Sequence, residues 1–129
     1  MSTISNDEVQ FAYAVGKEFC AGKLSRTQGI AEIHEKYGTN KTSASNMLGV
    51  IQSMLNGETY KRTINLYATR YFLDKIGEDY GRATQQKAAL STLQHVEYYS
   101  GLKTGGNQQA AKKIAETILR TKGPVKLFL

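Results

Sequence analysis

The sequence predicts an all-α domain of about six helices, packed as an irregular orthogonal bundle with an embedded helix-turn-helix. Three observations carry that expectation. Apolar residues recur at spacings of three and four along nearly the whole of the 129 residues, the period of a helix. The first two apolar stripes are each preceded by a Ser with Glu or Gln three residues on, the signature of a capping box. A single Pro and 40% hydrophobic residues argue against disorder.

The elements follow in order. Ser5 with Glu8 opens a first helix, whose stripe is Val9, Ala12, Val15 and Phe19, and Gly22 stops it. Ser25 with Gln28 opens a second, with Ile30, Ile33 and Tyr37 inward, and Gly38 fits the left-handed position after it. Thr42 or Ser43 caps a third helix, with Ala44, Met47, Leu48, Ile51, Met54 and Leu55 inward and Asn56-Gly57 at its end. A fourth begins at Thr63, with Ile64, Tyr67, Ala68, Tyr71, Phe72 and Ile76, and residues 77–81 form a turn. A fifth runs from about Arg82 to Tyr99, with Ala83, Leu90, Leu93 and Val96 inward. Residues 101–106 are a glycine-rich loop, and a sixth helix covers about Gln108 to Thr121 with Ala111, Ile114 and Ile118 inward. Residues 1–129 read as one domain, with 122–129 an apolar tail or linker remnant.

Composition narrows the function classes. The length excludes any fold that needs ~250 residues. Seventeen Lys and Arg against eleven Asp and Glu leave a charge of +6, which suits a polyanionic partner. That charge is uneven: residues 36–62 carry four basic groups and one acid, and residues 105–129 carry five and one. One cysteine, Cys20, forms no internal disulfide, and a cytoplasmic protein is expected. No apolar run approaches a membrane span, and the first ten residues lack the apolar core of a signal peptide.

Catalysis finds no convergent set. His34 and His95 sit singly within helices, and two His with one Cys exclude a His/Cys zinc cage within one chain. Both are expected to be packed or surface residues. Cys20 lies between Phe19 and Ala21 without a nearby cation, which reads as a buried, inert thiol. The loop 101–106 lacks the spacing of a phosphate-binding loop. Metal ligands, catalytic residues and cofactors are therefore all expected to be none. Tyr67 and Tyr71 stand one helical turn apart. They could stack on an extruded base, but core packing is the favoured reading.

The strongest signal is helix–turn–helix between Ser25 and Leu55. In such a unit the second helix enters the major groove with its first residues at the base edges. Thr42, Ser43, Ser45 and Asn46 would face bases, Asn being able to bond adenine bidentately. Lys41, Lys61 and Arg62 would hold phosphates. The plainer alternative is an ordinary pair of antiparallel helices with a normal polar cap.

Four blocks carry a further likeness: Thr42-Ser-Ala-Ser-Asn-Met47, Gly57-Glu-Thr-Tyr-Lys-Arg-Thr-Ile-Asn65, Tyr67-Ala-Thr-Arg-Tyr-Phe-Leu73 and Ala89-Leu-Ser-Thr-Leu-Gln-His-Val-Glu-Tyr-Tyr99. In that order the chain resembles the helical module that commonly precedes the HNH nuclease domain of McrA-like restriction endonucleases. The resemblance spans most of residues 8–100. It implies a target-recognition role on double-stranded DNA, modified bases included, beside a separate nuclease. The His-rich metal motif of an HNH site, usually accompanied by zinc-binding Cys pairs, is absent from the sequence, so no nuclease activity is expected of this chain. Its partners would be DNA and a nuclease domain or a second copy. The alternative is a protein-interaction or oligomerisation module, motivated by the tyrosines and the apolar tail.

Overall fold

The computed structural model describes residues 4–100 and 108–121, and every described element is a helix. They are α1 (Asn6–Cys20), α2 (Arg26–Tyr37), α3 (Lys41–Asn56), α4 (Leu66–Tyr80), α5 (Arg82–Ser100) and α6 (Gln109–Arg120). The all-α expectation therefore holds for the described residues. None of these helices is long and apolar enough to cross a membrane. The expected loop at 101–106 and tail at 122–129 lie outside the described residues.

The chain forms two compact units, Met1–Gln52 and Ser53–Leu129, with α3 running through the boundary. In the first unit the capping boxes form as the sequence predicts. Ser5 and Glu8 exchange hydrogen bonds at the start of α1, and Ser25 and Gln28 do the same at α2. Each box satisfies two amide groups that a helix start would otherwise leave bare. Gly38 ends α2 at φ 71°, a backbone region that favours glycine. The core residues of this unit are Val9, Ala12, Tyr13, Val15, Ile33, Ala44, Met47, Leu48, Val50 and Ile51. Gly29 lets three helices meet: a Cβ there would lie 3.0 Å from Leu48 Cδ1 and 3.2 Å from Val15 Cγ1. Tyr37, expected inward, is instead 39% exposed and sets its ring edge-on to Phe11 at 5.7 Å. Cys20 is half-buried rather than buried, and that burial pushes its thiol pKa up, away from reactivity.

In the second unit α4, α5 and α6 each pack against the other two. Gly57 at φ 70° closes α3, and the Glu58 amide donates to the Ser53 carbonyl at 2.8 Å. Two boundaries differ from expectation. Helix α4 starts at Leu66, capped by Asn65, rather than at Thr63, because the Asn65 side chain accepts from the Ala68 amide at 2.7 Å. Residues 77–80 continue α4, so Gly81 alone separates it from α5.

Helix α5 keeps Val96 of its expected inner face buried but not the rest. Ala83 is exposed and Leu90 is 48% exposed. The buried side is Gln85, Ala88, Ala89, Ser91, Thr92, His95 and Val96. A buried polar group is tolerated where it finds a hydrogen bond, and each of these polar residues makes at least one. Gln85 Nε2 donates to the Leu73 carbonyl, Ser91 Oγ to the Glu58 carbonyl, and Thr92 Oγ1 to the Ala88 carbonyl. Helix α6 buries Ala111, Ile114 and Ile118 as expected, along with Ala115.

Candidate nucleic-acid interface

The connection between α2 and α3 is three residues long: Gly38, Thr39 and Asn40. Its cap differs from expectation. Asn40, not Thr42 or Ser43, stands before α3, and its side-chain oxygen accepts from the Thr42 amide at 2.8 Å and the Ser43 amide at 3.3 Å. Asn, Thr and Ser all cap well, so residue preference alone could not rank them. The cap moves the start of α3 to Lys41 and puts Thr42 and Ser43 inside the first turn.

Thr39 anchors the connection. It is buried, and its hydroxyl donates to Glu8 Oε2 at 2.5 Å, while Glu8 Oε1 accepts from the Ser5 amide. One carboxylate thus caps α1 and tethers the turn. Burial raises the Glu8 pKa, but the Thr39 hydroxyl and the Ser5 backbone and hydroxyl outweigh it and leave the group below its usual value. His34 Nδ1 meets the Thr39 carbonyl at 2.9 Å, a second hold on the same residue.

Five of the expected site residues lie in the first two turns of α3. Lys41 and Thr42 are exposed, and Ser43, Ser45 and Asn46 are half-buried. The buried stripe of α3 is Ala44, Met47, Leu48, Val50, Ile51 and Met54. At 100° per residue, Thr42, Ser45, Asn46, Gly49 and Ser53 fall on the opposite side. That side is small, polar and uncharged. Ser45 already has a partner within the first unit. Its hydroxyl and carbonyl are both taken by Arg26, which the sequence did not single out. An ordinary arginine in a first helical turn gives no sequence signal of a partner 19 residues on.

Lys61 and Arg62 belong to the second unit, on the segment between α3 and α4, and both are exposed. That segment is fastened to α5. Tyr60 is buried, its ring stacked on His95 at 4.4 Å and 16°, and its hydroxyl donates to Thr92 Oγ1 at 3.2 Å. Burial pushes the Tyr60 hydroxyl up to about 12, the Thr92 bond pulling the other way. The Tyr60 carbonyl lies 2.7 Å from His95 Nδ1. A carbonyl only accepts, so Nδ1 carries the proton and Nε2 faces the Thr63 hydroxyl at 3.5 Å. Thr59 adds a bond to Gln94 at 2.7 Å. Lys61 Nζ lies over the Tyr98 ring at 5.5 Å. The segment is therefore a pinned platform, and of the two places expected for His95, packed or surface, it takes the packed one.

No family model, curated protein or solved structure matches this chain. Tyr67 and Tyr71 stack on each other at 5.8 Å and are half-buried, neither fully core nor fully displayed. Among the described residues, no group of three His, Cys, Asp or Glu side chains is placed to hold a metal ion.

Proposed function

We propose that this chain binds duplex DNA through its first unit, with α3 as the recognition helix. The observation that carries the reading is the outward side of α3. That side, exposed at Thr42 and half-buried at Ser45, Asn46, Gly49 and Ser53, is small, polar and uncharged behind a three-residue turn locked by Thr39 and Asn40. Side chains of that kind permit close approach to base edges and supply both donors and acceptors. Asn46 and Thr42 then face bases, and Lys41 lies beside the groove. Lys61 and Arg62, exposed on the second unit, are that unit's own candidates for phosphate contact. Catalysis is no part of this role, and a cytoplasmic setting belongs to the same proposal. The resemblance to the HNH-associated helical module supports a further step, target recognition for a separate restriction nuclease.

The test is a salt titration of binding to short mixed duplexes, some methylated. The reading expects affinity that falls steeply with salt and a preference among duplexes that survives at higher salt. No binding even at low salt overturns it. Light scattering at two protein concentrations then decides whether the chain is an oligomerisation module instead.

A further inference from the structure

Arg26 leaves the first turn of α2 and lies across α3. Its Nε donates to Ser45 Oγ at 3.2 Å, and its Nη2 donates to the Ser45 carbonyl at 2.8 Å and to Oγ at 3.1 Å. Its guanidinium carbon stands 5.9 Å from the centre of the Phe19 ring. One turn beyond Ser45 is Gly49, where a Cβ would come within 3.0 Å of Arg26 Nη2 and 3.8 Å of Nη1. The guanidinium therefore rests over the gap left by a glycine in the interior of a helix, a place where glycine is otherwise unfavourable. That gap is on the side of α3 away from its buried stripe. Arg26 is nonetheless exposed, and its Nη1 makes no hydrogen bond among the described residues.

We propose that Arg26 is a fixed phosphate clamp on the α3 face, its Nη1 donating to a phosphodiester oxygen of the duplex. The proposal rests on the DNA-binding reading above and adds a contact to it. Phosphate is favoured over a guanine base by the state of the fork. Reading guanine takes two coplanar donors at once, and Ser45 already engages Nε and Nη2. A phosphate oxygen accepts a single charge-assisted bond and tolerates many approaches. Electrostatics agrees. The first unit has as many acidic as basic residues, so a cation beside the neutral α3 side has local weight. Anchoring by Ser45 and Phe19 also removes rotamer freedom before binding, which lowers the ordering cost of the contact.

The experiment measures fluorescence anisotropy of labelled duplexes of several sequences over a salt series, for the unaltered protein and its variants. Arg26→Met keeps the apolar stem and removes the charge. It should bind about five- to tenfold more weakly on every duplex, with the slope of log K against log salt smaller by about 1. Arg26→Lys should keep the slope and lose part of the affinity. Gly49→Ala guards against a folding artefact: it favours the helix and crowds Nη2, so it should melt no lower yet bind every duplex more weakly. Unchanged binding by Arg26→Met and Gly49→Ala overturns the clamp while leaving the DNA reading in place. A loss confined to one base-pair position overturns it in favour of base readout. Failure of the unaltered protein to bind any duplex overturns the clamp and the DNA reading together.

Discussion

Asn46 and Lys61 occupy opposite roles in the DNA reading, and single substitutions separate them. Asn46 stands on the uncharged side of α3, and Asn46→Ala is expected to cost about 1–3 kcal/mol at one base position. Lys61 is exposed on the second unit, and Lys61→Ala should weaken all sequences alike and lower the salt slope by about 1. Binding curves on a set of single-base variants distinguish the two patterns; equal loss from both on every sequence rejects readout by Asn46. Glu8 works upstream of either. Its folded pKa is depressed, so the stability it contributes is present above the ordinary value of 4.5 and is lost as pH falls through the lower folded value. Acid titration followed by amide exchange should show the α2–α3 turn losing protection in that window, and Glu8→Gln should remove the pH dependence. Its partner Thr39 lies 31 residues away in sequence, so only the Ser5 half of its role was legible beforehand.

At the scale of a helix, α5 teaches most about what periodicity reads. A hydrophobic stripe finds a core face only where the core is apolar. Here the buried side mixes Ala88, Ala89 and Val96 with polar groups, of which Ser91, Thr92 and His95 are bonded by the 57–65 segment, so an apolar stripe places Leu90 inward and misses those three. The arrangement has a pH signature. Burial lowers the His95 pKa and the Tyr60 carbonyl only partly restores it, so the folded state favours neutral imidazole. The unfolded chain then takes up more protons, and this contribution is fully present above about 6.5 and is lost as pH falls below it. Thermal melts between pH 7.5 and 5.5 should fall for the unaltered protein, and the His95 share of that fall should vanish in His95→Asn. Helix α4 offers a steric test. A Cβ at Gly77 would lie 2.3 Å from Gln85 Nε2 and 2.5 Å from Cδ, with Gln85 fully buried. Gly77→Ala gains up to about 1 kcal/mol of helix propensity but overpacks the site by about 1–3 kcal/mol. Net destabilisation is expected in urea unfolding.

Across the whole molecule, charge and fold divide along the same boundary. Up to Gln52 five basic residues meet five acidic ones; from Ser53 onward twelve meet six. The excess that suggested a polyanionic partner thus belongs entirely to the second unit, while the helix-turn-helix belongs to a neutral one. A net field steers association more than it selects a sequence. Replacing Lys112, Lys113 and Arg120 on α6 with Gln should therefore slow association at low salt and leave the preference among duplexes intact. Stopped-flow rates over a salt series check this, and an altered preference would place α6 at the bases.

Helix count, the caps at Ser5 and Ser25, and the ends at Gly38 and Gly57 were determined by the sequence alone. Each depends on residues within a few positions of one another, where hydrogen-bonding preference and backbone geometry act directly. The inner face of α5, the Glu8–Thr39 tether, the seat of Arg26 over Ser45 and Gly49, and the platform under Lys61 and Arg62 were decided by tertiary structure. Their partners lie 12 to 35 residues apart, and which polar groups meet at that range depends on how the helices pack.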